Sequence, residues 1–304
     1  MRSIGKGSFG EVFKVQKNYN IKKYAIKISD LSGRNISETD KQNMLDETKK
    51  LIRERSKYVV EYFNSWIQNN CLYIQMELCH ANLKGLLKIK RNISNGLPGV
   101  ASQMLDLYLS IEIFLEITEC VQYLHRDRII HRDLKPDNVL VGSEEMFSDK
   151  HCLKLCDFGL AKIAVNIDLF NMTGDVGDAQ YMAPEAMANV YDHRIDIYSL
   201  AIIGAEIFGF DKKEIILGND KQITNQEKNL QILSEEIQNL FVLMSINEYR
   251  RNGSTDWRER PECVDILSQL RLIRNKLFDE NGSLFLWPQY KNIIFKSPKR
   301  DDPN

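Results

Sequence analysis

The sequence predicts an α+β protein in two unequal parts: a small antiparallel sheet carrying one main helix, then a larger, mainly helical portion. Three observations lead there. At 304 residues the chain exceeds what one hydrophobic core usually organises. Up to about Leu78 it reads as short β-branched and aromatic runs separated by turn residues. After His80 the apolar residues recur at helical spacing over much longer stretches.

Taken in order, the strand candidates are EVFKV, KYAIKI, YVVEYFNSWI and CLYIQMEL. Between them, residues 37–55 open with serine and Glu38 and place Met44, Leu45, Leu51 and Ile52 on one stripe, a helix expected to pack on the sheet. Residues 104–125 and 195–210 are apolar on nearly all faces and are expected to run through the middle of the helical lobe. Further helices are expected at 235–244 and after Pro261, whereas 211–229 is polar and ambiguous. Residues 296–304, rich in charge and proline, read as a frayed tail. The expected division is 1–79, 80–276 and 277–304.

With 41 basic against 42 acidic residues, the chain has no electrostatic footprint for nucleic acid or anionic lipid. It has no apolar run of about 18 residues, and its N-terminus lacks the apolar core of a signal peptide. A cytoplasmic protein with no direct nucleic-acid or membrane partner is expected. The six cysteines are scattered and are expected to stay reduced.

Chemistry enters with IGKGSFGEV, where Gly5, Gly7 and Gly10 let a turn bring its backbone N–H groups close to phosphate oxygens. EVFKV continues as a strand, so the glycines sit in a hairpin lid and not in a dinucleotide fold, which would need a helix there. Lys27 ends YAIK and, if buried, demands a carboxylate; Glu47 on the following helix is the candidate. HRDLKPDN at 131–138 and CDFGLA at 156–161 place two acids and an asparagine on short loops with Lys135 between them. That set fits phosphoryl transfer, with one acid for a hydroxyl proton and the other acid plus the amide for Mg²⁺.

With these motifs in place the chain resembles the eukaryotic protein kinase family from Ile4 to about Arg274. The resemblance implies a bilobal kinase fold, ATP and Mg²⁺ as cofactors, and roles taken from the family's general template. Gly5, Gly7 and Gly10 match the phosphate lid, and Lys27 the lysine on the α and β phosphates, with Glu47 its ion-pair partner. Asp133 matches the catalytic base, Lys135 the lysine near the transferred phosphate, and Asn138 and Asp157 the metal ligands. Met76, Glu77, Leu78 and Cys79 resemble gatekeeper and hinge, where backbone groups of Glu77 and Cys79 would bond adenine. Ile4, Val12, Ala25 and Leu140 would sandwich it. Cys156 would face the nucleotide pocket, as an ordinary buried cysteine or as a target for electrophiles.

The HRDLKP form resembles serine/threonine kinases. YFNSW and LYIQMELC are similar to the stress kinases that phosphorylate the alpha subunit of translation initiation factor two, which makes that protein the expected substrate. A homodimer through the N-lobe is a further expectation. Another serine/threonine branch, such as a cell-cycle kinase, and a nucleotide-binding scaffold without turnover remain open alternatives. The strand at Ile4 reads as cut short, as in one domain of a longer regulated protein.

TGDVGDAQYMAPE, residues 173–185, then matches the end of an activation segment, with Glu185 expected to pair with Arg260. Thr173 aligns with an autophosphorylated threonine, and Arg132 is the expected partner of its phosphate. Asp178 stands where the family usually has threonine. Two like charges about 4 Å apart cost up to about 4 kcal/mol at an effective dielectric of 20, so either Lys135 lies between Asp133 and Asp178 or Asp178 points away. A tolerated loop acid without a special role is the alternative.

Overall fold

The computed structural model describes residues 2–7, 10–16, 22–32, 37–53, 56–142, 152–157, 179–187, 191–218, 228–248 and 253–279; for 7, 47–53, 228, 278 and 279 it describes the backbone alone. Thr173 and Asp178 lie outside the described residues.

Strands β1 (Arg2–Gly7), β2 (Gly10–Gln16), β3 (Lys23–Asp30), β4 (Tyr62–Gln68) and β5 (Cys71–Glu77) form an antiparallel sheet in the order β1-β2-β3-β5-β4. Alternation drives it: along β5, Leu72, Ile74 and Met76 face the core while their neighbours are half-buried. The β1–β2 turn brings Gly7 opposite Gly10, so the glycine run is a hairpin as expected. A Cβ at Gly10 would lie 2.1 Å from the Ile28 carbonyl oxygen, and its φ is +133°. Glycine is therefore required at Gly10 by the neighbouring strand, while nothing lies within 4 Å of a Cβ at Gly5.

Helix α1 (Glu38–Arg53) begins one residue after Ser37, whose Oγ accepts the Asp40 N–H at 3.1 Å while Asp40 Oδ2 accepts the Ser37 N–H at 3.2 Å. This reciprocal cap fixes the start of the helix. Met44 of its stripe is buried. Residues 58–61, read from sequence as part of a long strand, are instead a strap. Val60 N–H donates to the Leu155 carbonyl and Leu155 N–H to the Tyr58 carbonyl, so the β-branched run pairs with a strand of the helical lobe.

The helical portion comprises, among the described residues, α2 (Leu83–Asn95), α3 (Gly99–Arg126), α4 (Arg194–Phe208), α5 (Lys212–Leu217), α6 (Lys228–Met244) and α7 (Cys263–Asp279). A small sheet, β6 (Ala81–Asn82), β7 (Val139–Val141) and β8 (Leu153–Leu155), lies between. As their all-round apolarity predicts, α3 and α4 form the centre, with Leu109, Phe114 and Ile117 on one and Ile197, Leu200 and Ile203 on the other fully buried. A Cβ at Gly204 would lie 2.5 Å from the Phe241 ring, so glycine lets α6 approach α4 closely. Sequence reading did not single out α2, started α3 five residues late and α6 seven residues late, and left α5 inside the ambiguous segment. The last helix runs through 277–279, beyond the expected boundary at 276. No helix among the described residues is long and apolar enough to cross a membrane.

Candidate active site

The base, the strand lysine and the two amide or carboxylate ligand candidates converge where α3, β3, β7 and β8 end. The loop after α3 carries His131, Arg132 and Asp133, and its main chain is held by a residue far away in sequence. Asp196, in the first turn of α4, accepts the His131 N–H (2.8 Å), the Arg132 N–H (2.9 Å) and a bond with His125 Nε2 (2.9 Å). Burial alone would raise the Asp196 carboxyl, but the hydrogen bond from His125 and the one from the His131 amide hold it below its ordinary value. It thus stays ionised and fixes Arg132 at φ 69°, a conformation a side-chain-bearing residue adopts only when its surroundings impose it.

His131 is fully buried, and burial pushes its pKa down despite the neighbouring acids Asp196, Asp133 and Asp157. A neutral ring matches its contacts: Nε2 donates to the Cys156 carbonyl at 3.0 Å, and Nδ1 accepts the Asp133 N–H at 3.3 Å. The imidazole thereby joins the base loop to the residue before Asp157.

The Asp133 carboxylate receives two donors. Lys135 Nζ lies 3.1 Å from Oδ2, and Asn138 Nδ2 donates to Oδ2 at 3.0 Å and to the Asp133 carbonyl at 2.7 Å. Asn138 is thus oriented by its amide nitrogen, and its side-chain oxygen, which receives only a weak Cys156 Sγ contact at 3.9 Å among the described residues, is the atom a cation would meet. Cys156 N–H donates to the Asn138 carbonyl at 3.0 Å, registering the two loops.

Lys27, in register with Val12 on β2 and Ile74 on β5, is buried at 4% exposure and bonds Asp157 Oδ2 at 2.6 Å. Glu47 lies in α1, but its side chain lies outside the described residues. Asp157 itself has φ 64°, and its N–H donates to the Tyr62 hydroxyl at 3.1 Å. Tyr62 is buried at 2% exposure, and burial, then the Asp157 charge, pushes its hydroxyl pKa well up. It therefore remains a neutral oxygen behind the acid.

Around the adenine position, Ala25 faces Met76 across the β3–β5 ladder and both are buried; Val12 and Leu140 are half-buried and Ile4 is exposed. The Glu77 N–H is spent on the Glu61 carbonyl at 2.9 Å, so of its two backbone groups the carbonyl is the candidate for a purine amine. The Glu77 side chain turns inward to Lys154 on β8, with Nζ 2.8 Å from Oε1 and 2.9 Å from Oε2. Cys79 Sγ donates weakly to Glu77 Oε1 at 3.5 Å. Burial drives the thiols of Cys79 and Cys156 well above their ordinary pKa, which favours the ordinary buried cysteine of the two readings of Cys156.

The closing motif behaves as expected. Glu185 forms a bidentate pair with Arg260, one arm through Nη1 and the other from Nη2 at 3.0 Å. Arg260, 2% exposed, also donates to the Ile246 carbonyl from Nε (2.9 Å) and Nη2 (2.7 Å) and to the Arg194 carbonyl (2.9 Å). Asp196, Tyr62 and Lys154 were missed by sequence reading. The available signal was one acid or one base among strongly apolar neighbours, as in Ile195-Asp196-Ile197 and Leu153-Lys154-Leu155.

A hairpin lid, a buried lysine–aspartate pair and an oriented base loop set between a five-stranded sheet and a helical lobe define a phosphoryl-transferring enzyme of the α+β, bilobal class. The chain belongs to the protein kinase domain family, whose profile matches residues 1–275, and it is of the serine/threonine type. It is 30% identical over 275 residues to a membrane-associated tyrosine- and threonine-specific cdc2-inhibitory kinase of Drosophila melanogaster, covering 90% of this chain and 46% of that protein. It is likewise 30% identical over 290 residues to the interferon-induced, double-stranded RNA-activated protein kinase of Rattus norvegicus, covering 90% and 52%. A Wee1-like protein kinase of Oryza sativa subsp. japonica is 32% identical over 211 residues, 68% of this chain and 35% of that protein. The chain thus spans about half or less of the length of these relatives.

The family generally uses ATP and Mg²⁺, and the residues present fit both. The oriented Asn138 carbonyl oxygen and the Asp157 carboxylate would hold the cation, and Lys27 with the glycine hairpin would hold the phosphates.

Proposed function

We propose that this domain transfers the terminal phosphoryl group of ATP to a serine or threonine hydroxyl of a protein, and that the protein is the alpha subunit of translation initiation factor two. The observation that carries the chemistry is the Asp133 carboxylate, held at 3.1 Å by Lys135 and 3.0 Å by Asn138. That geometry leaves Asp133 able to receive the hydroxyl proton while Lys135 stands ready to balance charge on the phosphoryl oxygens. Bound Mg²⁺ would supply neutralisation of phosphate charge. Removing one general base of this kind costs about 10²- to 10⁴-fold in rate, the loss expected for Asp133→Asn.

The substrate rests on the similarity of YFNSW and LYIQMELC to initiation-factor kinases. The equal identity to the cdc2-inhibitory kinase favours a second reading, a cell-cycle kinase acting on cdc2. Incubating the purified chain with each protein and ATP separates them: phosphate on the initiation factor alone supports the first, and on cdc2 alone the second. Transfer to neither, nor to the chain itself, would leave a nucleotide-binding scaffold. A cytoplasmic location fits either substrate.

Phosphate on Thr173 is proposed to order the activation segment through Arg132. Arg132 Nε is buried with no hydrogen-bond partner among the described residues, and its guanidinium lies 5.7 Å from the Tyr191 ring centroid. Full activity in Thr173→Ala without loop phosphate elsewhere refutes this. The acid at Asp178 is proposed to preorder the segment in part, so Asp178→Thr should raise the dependence on loop phosphorylation, and an unchanged dependence refutes it.

A further inference from the structure

The peptide unit that joins Cys156 to Asp157 stands immediately before the acid assigned to the cation, and both of its polar groups are held. Its carbonyl accepts His131 Nε2 at 3.0 Å, and its N–H donates to the Tyr62 hydroxyl at 3.1 Å. The two holders come from opposite sides of the site. His131 belongs to the base loop of the helical lobe, whereas Tyr62 is the first residue of β4, in register with Met76 on β5.

The tyrosine stands where a ladder breaks off. The strap at 58–61 pairs with β8 in parallel at Val59 and Leu155, through the Leu155 N–H on the Tyr58 carbonyl (3.0 Å) and the Val60 N–H on the Leu155 carbonyl (2.9 Å). The next rung of a parallel ladder would run from the Asp157 N–H to the Val60 carbonyl. Asp157 leaves the extended conformation at φ 64° instead, and the Tyr62 side chain takes its N–H. A left-handed aspartate persists only where its surroundings over-determine it. Here they do so at three points: His131 on the preceding carbonyl, Tyr62 on the N–H, and Lys27 Nζ on Oδ2 at 2.6 Å. With Oδ2 bonded to Lys27, the setting of the peptide plane decides where Asp157 Oδ1 lies. Phenylalanine would fill the same space in the core, so packing alone does not call for a hydroxyl at Tyr62.

We propose that Tyr62 is a positioning residue for phosphoryl transfer: its hydroxyl, with His131 on the other edge of the same peptide plane, aims the Asp157 carboxylate at the cation shared with Asn138. The hydroxyl stays protonated, because burial and then the Asp157 charge push its pKa up, so it steadies the acid without adding charge beside it. This rests on the reading of Asp157 and Asn138 as the cation ligands.

The probe is a fluorescent, non-hydrolysable ATP analogue, titrated into the intact chain once with excess Mg²⁺ and once with EDTA. The ratio of the two affinities is the contribution of the cation. Tyr62→Phe keeps the ring and removes the acceptor, and should lower that ratio about fivefold, the equivalent of one hydrogen bond, with the affinity in EDTA unchanged. A merely structural role would weaken both titrations alike and leave the ratio as it was. Both affinities are read on the folded fraction, so an earlier melting temperature of the variant does not disturb the comparison. Asp157→Asn separates this inference from the reading beneath it. If the native chain shows no Mg²⁺ dependence, or Asp157→Asn keeps the native ratio, the cation assignment fails and the role of Tyr62 with it. If Asp157→Asn loses the ratio while Tyr62→Phe retains it, the role of Tyr62 alone is overturned.

Discussion

Replacing Arg260 by Met keeps the aliphatic reach of the side chain and deletes all of its donors. In the native chain those donors serve both carboxylate oxygens of Glu185, the Ile246 carbonyl twice and the Arg194 carbonyl once. The Glu185 side chain is 9% exposed, so in Arg260→Met its charge would stay buried and unpaired. Breaking a buried pair from one side costs about 3–5 kcal/mol, against a total domain stability of about 5–15 kcal/mol. We expect a large fall in the urea midpoint followed by circular dichroism at 222 nm. Changing Glu185 to Leu as well removes the stranded charge, and the double variant should recover a substantial part of the loss. A single-variant loss below about 1 kcal/mol, or a double variant no more stable than the single one, would refute the argument that the carboxylate is the costly element.

Other expectations follow from the same contacts. Lys154→Met strands the Glu77 carboxylate at the hinge, so the melting temperature should fall and the KM for ATP rise more than kcat falls; unchanged ATP affinity would separate the pair from adenine binding. For His131, burial lowers the folded pKa, so the unfolded chain takes up the proton first. Its stabilising contribution is complete above the ordinary value of about 6.5 and is lost as pH falls below it toward the folded pKa, at up to about 1.4 kcal/mol per pH unit. His131→Gln should flatten the pH dependence of the urea midpoint in that window, and an unaltered slope would show that another group titrates there. Gly10→Ala places a Cβ 2.1 Å from the Ile28 carbonyl in a left-handed conformation and should destabilise the chain by about 1–3 kcal/mol in thermal unfolding, whereas Gly5→Ala should not.

The residues that perform chemistry were legible because phosphoryl transfer needs particular side chains at short, fixed offsets. His131, Asp133, Lys135, Asn138 and Asp157 therefore announce themselves in two brief loops. Their supports were not legible, because each arrives from a different part of the chain. Asp196 looks like any acid in the first turn of a helix, where a carboxylate is favourable without a partner. Lys154 and Tyr62 alternate with apolar residues as any strand residue does, and only the folded register shows that they face Glu77 and Asp157. The β-branched run at 58–61 has the composition of a strand, but its partner is β8, a pairing no local pattern encodes. Helix α6 was begun late because its first turn follows a polar stretch, although Leu230 and Leu233 are buried.

Asp196 has a consequence for the order in which this chain becomes competent. The segment bearing the base does not set its main-chain shape by local bonds alone: the amides of His131 and Arg132 take theirs from a carboxylate more than sixty residues downstream. A nascent or refolding chain in which α4 has not yet docked can hold a finished β-sheet and a finished α3, yet its base loop has no template. Phosphoryl transfer should therefore emerge late and all at once, when α4 settles, and fragments that end before Asp196 should be inert however well their sheet folds.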